Sequence, residues 1–265
     1  MLGAIIGDVV GSRFEWGSLK TKDFHLFASN CGPTDDSVMT VAVGLACANA
    51  DIRDKEAFQR ELIAQMRRLG RMYPDAGYGS SFYQWLMDEN MGPYNSFGNG
   101  SAMRVSPVAW AAKTLEQAEE LAAWSAEVTH NHPEGIRGAQ AVAAAIFLAR
   151  TGKSREEIRA YMGKRYYRMD FALAEIRPDY RFDVTCQGSV PQALMCFFES
   201  TDFEDTIRNA VSLGGDGDTQ AAIAGSVAEA FYGIPTELED AVFGYLDEEL
   251  VNSYLYYADA LLANG

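Results

Sequence analysis

Two aspartates one residue apart, with glycines around them, stand in Leu213-Gly214-Gly215-Asp216-Gly217-Asp218-Thr219. A run of small residues at helical spacing follows, Gln220 to Gly225. Asp216, Asp218 and the Thr219 hydroxyl offer only oxygen, the donor set that hard divalent cations such as magnesium, calcium or manganese prefer. The glycines permit a sharp fold that turns both acids toward one point. Helix capping would use the same residues: Asp218 or Thr219 as an N-cap, with both acids favoured by the helix dipole. An EF-hand does not fit, because the twelfth position counted from Asp216 is Val227 and not glutamate.

A second acid cluster lies near the other end of the chain. Gly32-Pro33-Thr34-Asp35-Asp36-Ser37 again feeds an apolar helical run, Val38 to Ala48. If the two helix starts meet, four aspartates and two threonines surround one spot. Four close carboxylates repel strongly unless cations neutralise them. Two metals roughly 3.5–4 Å apart are the usual arrangement for activating a water. Glu15 stands between Phe14 and Trp16. Burial there would raise its pKa and suit it to proton transfer, whereas the plain alternative is a surface glutamate in a turn.

Elements that could hold these residues are mostly helical. Leu2 to Phe14 reads as a helix with Gly3, Gly7 and Gly11 spaced by four. That spacing lets another backbone approach closely at a cost in helix propensity, so a buried first helix against other small-residue helices is expected. Lys20 to Asn30 reads as a loop. Helices are predicted over 36–49, 54–69 (Phe58, Leu62, Met66 and Leu69 on one face), 115–129, 135–149, 154–161, 171–176, 189–199, 203–213 and 254–262, besides the one after Thr219. Period-two alternation is scarce, so the chain reads as nearly all α.

Two further glycine-rich stretches interrupt the pattern. Tyr73 to Ser80 is rich in turn residues. Phe97-Gly98-Asn99-Gly100-Ser101-Ala102-Met103-Arg104 could form an anion nest from successive amides, with Arg104 nearby as charge. It is not a Walker A motif, and a tight turn is the commoner explanation. His130-Asn131-His132 suggests zinc at first sight. The third histidine is the distant His25, and no further ligand is spaced to complete a site. Substrate hydrogen bonding, or capping of the following helix, is expected there instead.

The chain has 265 residues, a net charge of −15 and a sequence pI of about 4.6. Such a surface repels nucleic-acid backbones and acidic membranes, so neither is expected as a bulk partner. No linker-like stretch divides the sequence and both acid clusters must serve one site, so residues 1–265 are expected to be one domain. Cys31, Cys47, Cys186 and Cys196 show no Cys-x-x-Cys spacing. The apolar start has no basic region and is interrupted by Asp8, so reduced cysteines in a cytoplasmic protein are expected. No apolar run is long enough for a transmembrane helix.

These motifs, taken in order, resemble the ADP-ribosylglycohydrolase family, which includes the dinitrogenase-reductase-activating glycohydrolase and the ADP-ribosyl-acceptor hydrolases. The resemblance covers nearly the whole chain. It rests on Gly3-Ala4-Ile5-Ile6-Gly7-Asp8 with Glu15, Pro33-Thr34-Asp35-Asp36-Ser37, Gly98 to Arg104, Thr129-His130, and Gly214 to Thr219. It implies an all-α, single-domain orthogonal helical bundle around a central metal-binding cleft with two magnesium (or manganese) ions. The implied reaction cleaves the bond between ADP-ribose and an acceptor on a protein or small molecule, with arginine, serine, a nucleic-acid base or a small compound all open as acceptors.

The resemblance implies Thr34, Asp35, Asp36, Asp216, Asp218 and Thr219 as metal ligands. Glu15 matches the glutamate near the metals and, with Asp35, is a candidate for proton transfer rather than ligation. Gly77, Tyr78, Gly79 and Ser80, with Asn99, Gly100, Ser101, Met103 and Arg104, resemble the loops that hold pyrophosphate and ribose, and His130 a histidine lining the same cleft. Gly217 departs from the threonine or serine that many members carry between the aspartates. Other readings of the same acids are a module that holds ADP-ribose or a nucleotide without cleaving it, and a metal-dependent phosphohydrolase.

Overall fold

The computed structural model describes residues 1–264. Among these, helices account for the regular structure, and the one β-type pairing is an isolated bridge between Gly98 and Thr185. At the centre lie two helices, α1 (Leu2–Gly11), continued by a 3-10 turn (Ser12–Phe14), and a second formed by Gly217–Tyr232. Every residue of α1 is buried. The glycine stripe explains how. A Cβ added to Gly3 would lie 2.3 Å from the Gly225 carbonyl oxygen, and one on Gly7 2.1 Å from that of Ala221. The two backbones therefore touch directly, as the spacing of the glycines predicts.

The other helices wrap this pair in chain order: α2 (Asp35–Asn49), α3 (Lys55–Met72), α4 (Ser80–Met87), α5 (Gly100–Met103), α6 (Ser106–Ala111), α7 (Leu115–Glu127) and α8 (Pro133–Arg150). Next come α9 (Arg155–Arg165), α10 (Leu173–Ile176), α11 (Cys186–Phe198) and α12 (Phe203–Ser212), then the central Gly217–Tyr232 as α13, and finally α14 (Thr236–Phe243) and α15 (Glu248–Asn264). Helices α8, α11 and α12 pack on α13, and α2 packs on α1 and α3. The buried apolar side chains of all these layers form one cluster.

Local chemistry sets many of the starts. Asp54, Thr114, Ser154, Thr185 and Asp202 each accept a backbone N–H in the first turn of the helix that follows, and Ser154 forms a capping box with Glu157. Along α3, Phe58, Leu62, Met66 and Leu69 are buried on one face. Several boundaries depart from the sequence pattern. The first α-helix ends at Gly11 and tightens into the 3-10 turn. Capping by Thr185 makes α11 begin at Cys186, before the expected Ser189. α15 begins at Glu248, well before Tyr254, and α4, α6 and α14 have no counterpart in the sequence reading. The stretch Gly100–Met103 is a helical turn instead of an open loop, because the Asn99 carbonyl accepts from both Ala102 and Met103 N–H.

Candidate active site

Three helix ends converge at the base of a cleft: the C-terminal end of α1 and the N-terminal ends of α2 and α13. Asp8, fully buried on α1, gathers the start of α2. Its carboxylate accepts from Thr34 N at 2.9 Å, Thr34 Oγ1 at 2.7 Å, Ser37 N at 3.0 Å and the Ser37 hydroxyl. Burial pushes its pKa up, and these donors pull against that shift. Thr34 Oγ1 in turn caps α2 by accepting from Asp36 N at 3.3 Å. The cap is therefore the threonine, which leaves the carboxylates of Asp35 and Asp36 free of that duty.

The start of α13 is arranged alike. Asp216 occupies the N-cap position but makes no side-chain cap bond. It accepts instead from Asn99 Nδ2 at 2.7 Å. Gly214, with φ of +68°, turns the chain just before it in a conformation other residues rarely adopt. Lys20 Nζ braces this turn by donating to the Leu213 carbonyl at 2.6 Å and the Tyr180 carbonyl at 2.6 Å. Asp218 accepts from the Thr219 N–H at 2.9 Å. Thr219 Oγ1 donates to Asp36 Oδ2 at 3.1 Å, which joins the two acid clusters directly.

Glu15 follows the 3-10 turn and is half-buried. One oxygen from each of Glu15, Asp216 and Asp218 falls within a 4.8 Å group. Glu15 is thus as close to the cluster as a ligand would be, a placement the sequence reading reserved for the aspartates and threonines. The electrostatics are those of crowded acids. Burial, then the charges of Asp216 and Asp8, push Glu15 up to about 7. Burial and neighbouring carboxylates hold Asp35, Asp36 and Asp218 well above the usual range, and burial raises Asp216. Asp36 Oδ1 is buried without a hydrogen-bond partner. Oxygen-only donors, mutual repulsion and an orphan carboxylate oxygen fit hard divalent cations. Thr34 differs from the rest: its hydroxyl proton goes to Asp8, and it supports the cluster from behind the cleft wall.

The cleft above has a volume of about 600 Å³. One wall is Gly77, Tyr78, Gly79 and Ser80, leading into α4, whose amides have no side-chain cap. The other is Gly98, Asn99, Gly100 and Met103. It is tied to the segment before α11 by Asn99 N to Val184 O at 2.7 Å and Cys186 N to Phe97 O at 2.9 Å. Ser101 lies behind this wall, donating to the Gly135 carbonyl at 2.7 Å. Arg104 and His130 reach the cleft from the interior. Burial and the charge on Arg104 hold His130 well below its usual range, so it is neutral at pH 7. The second histidine of the pair, His132, caps α8 by accepting from Glu134 N at 3.1 Å. At the mouth, the Trp16 ring stacks on Phe182 at 5.2 Å between centroids. Asp8, Tyr94, Phe182 and Val184 were not singled out from the sequence. The lone acid of an otherwise apolar helix was the available signal for Asp8, whereas the other three are placed by tertiary contacts between distant segments.

Residues 1–263 match the ADP-ribosylglycohydrolase family. The chain is similar to the human ADP-ribosylhydrolase ARH3, with 26% identity over 97% of this chain and 91% of that protein. It is also similar to the ADP-ribosylarginine hydrolase Tri1 of Pseudomonas putida, with 26% identity over 88% of this chain and 70% of that protein. Among solved structures, an "ADP-ribosylglycohydrolase-related protein complex" shares the fold with a TM-score of 0.66 and 22% identity, covering 98% of this chain and 93% of that one.

Proposed function

Since the chain belongs to the ADP-ribosylglycohydrolase family, we propose that it works as one domain that hydrolyses the glycosidic bond between ADP-ribose and an acceptor, with the acid cluster at the cleft floor as its reaction centre. The observation that carries this reading is the convergence of Glu15, Asp216 and Asp218 in one oxygen-only group, joined to Asp36 through Thr219. Asp35, Asp36, Asp216, Asp218 and Thr219, together with Glu15, would hold two magnesium or manganese ions. Bound there, such ions supply Lewis acidity and neutralise the crowded carboxylates.

The protein's own groups do the rest. Asn99 and Thr219 fix the orientations of Asp216 and Asp36. Glu15, with its carboxyl raised to about 7, can take up or release a proton near neutral pH, and Asp35 is the second candidate for that transfer. A water oxygen bonds to the anomeric carbon as the bond to the acceptor breaks. The water gives up a proton, the acceptor leaves with one, and ADP-ribose and free acceptor result. The uncapped amides at the start of α4 suit the pyrophosphate, since helix N-termini favour anions. All four cysteines are unpaired, in keeping with a cytoplasmic setting.

The test is incubation with peptides ADP-ribosylated on arginine or on serine, with magnesium and with a chelator. Free ADP-ribose that appears with magnesium and not with chelator is the expected result. Tight binding without release would make the protein a binding module, and AMP or phosphate as product would make it a phosphohydrolase.

A further inference from the structure

A hydrogen-bond chain behind the cleft wall determines which nitrogen of His130 carries the proton. Thr129 Oγ1 lies 2.7 Å from His130 Nδ1. Arg104 Nη2 donates to the same hydroxyl oxygen at 2.9 Å and to the Ser125 carbonyl at 3.0 Å. All three side chains are buried, with exposures of 1% for Arg104, 0% for Thr129 and 5% for His130. A guanidinium has donors and no acceptor. The Thr129 oxygen therefore accepts from Arg104, and its own proton is left for Nδ1. A neutral imidazole that accepts at Nδ1 carries its hydrogen on Nε2. The second nitrogen faces the cleft wall: a Cβ added to Gly100 would lie 3.2 Å from it, and one on Gly98 3.6 Å. No acceptor for Nε2 is found among the described residues, and His130, Gly98 and Gly100 all line the cleft.

We propose that Arg104 and Thr129 are positioning residues that lock His130 as the Nε2–H tautomer, so that it presents one hydrogen-bond donor to an oxygen of a bound ADP-ribose unit. Arg104 then acts through Thr129 and does not itself meet the anion, the role its motif suggests in the sequence. The arrangement accounts for a fully buried guanidinium beside a cleft: it supplies a donor that forces the hydroxyl to point one way. A hydroxyl without that donor could accept from Nδ1–H equally well, and His130 would turn an acceptor toward the substrate. The identity of the ligand rests on the function proposed above, whereas the tautomer does not.

The experiment is nitrogen-15 NMR of the histidine rings in the full chain, in which the three histidines are few enough to assign individually. The parent is expected to show His130 in the Nε2–H form. Thr129→Ser keeps the hydroxyl and should keep that form. Thr129→Val removes it and should populate Nδ1–H, with calorimetric affinity for ADP-ribose weakened about tenfold, the worth of one hydrogen bond. A parent spectrum showing Nδ1–H overturns the proposal, and this reading is available even if the valine variant does not fold. An unchanged Nε2–H form in Thr129→Val overturns it too, as does a switched tautomer with unchanged affinity. A parent that holds Nε2–H but binds no ADP-ribose upholds the lock and counts against the proposed function.

Discussion

Glu15 has one oxygen within 4.8 Å of oxygens from Asp216 and Asp218, and its carboxyl is raised to about 7. Replacing it by glutamine keeps shape and one oxygen but removes the charge and the transferable proton. Glu15→Gln is expected to lower kcat roughly 10²–10⁴-fold, the usual scale for loss of general acid–base catalysis. Its placement in the oxygen group adds a second expectation: magnesium affinity, measured by calorimetry, should weaken by about tenfold or more. Turnover near that of the parent would reduce Glu15 to a turn residue beside Trp16. The acids were legible in the sequence because the same pattern, glycine then acid and threonine then small-residue helix, occurs twice. Asp8 was not, because its work is done by accepting from Thr34 and Ser37 on another helix. That relation exists only once α1 and α2 have packed.

The helix pair α1 and α13 sets the position of both ends of the acid cluster. A Cβ on Gly7 would meet the Ala221 carbonyl oxygen at 2.1 Å and its carbon at 2.3 Å, backbone atoms with no rotamer to relieve them. Gly7→Ala should therefore cost about 1–3 kcal/mol or more in urea unfolding, and displacement of α13 should weaken magnesium binding as well. A midpoint equal to the parent's would mean that the pair slides apart freely. The glycine spacing made this contact readable in advance, and caps and amphipathic faces did the same for the long helices such as α3. Short helices such as α4 and α14 carry too few turns for a period to show. The crowding of the helix ends also predicts a pH dependence. For Glu15 the folded-state pKa, about 7, lies above the ordinary 4.5. Between those values the folded chain binds more protons than the unfolded one, so stability is highest below the window and falls as pH rises through it. The raised pKa values of Asp35, Asp36 and Asp218 act in the same direction. The melting temperature of chelated protein should drop from pH 5 to pH 8, and saturating magnesium should flatten the profile. A flat profile in chelator would show that the acids move apart when no cation is present.

Across the whole molecule the charge is −15, and it remains strongly negative with two divalent cations bound. The proposed substrate carries a pyrophosphate, so protein and substrate repel at long range and attract only where the cleft floor binds metal. Arg104 does not offset this, because its guanidinium is turned inward to Ser125 and Thr129. Salt screens the long-range term over a Debye length of about 10 Å at 0.1 M, while contacts inside a half-enclosed cleft are screened much less. Many enzymes that meet charged substrates are steered by opposite charge and slow down as salt is added. The opposite sign is expected here: with magnesium saturating, kcat/KM for an ADP-ribosylated peptide of neutral sequence should rise as sodium chloride goes from about 0.02 M to 0.15 M, chiefly through KM. A peptide carrying several lysines is drawn to the same surface and should show the reverse trend, which separates long-range repulsion from any general effect of salt on folding or metal binding. If both peptides lose activity together as salt rises, the magnesium site and not the surface charge governs the dependence. If neither responds, the negative charge lies too far from the mouth formed by Trp16 and Phe182 to act on an approaching substrate.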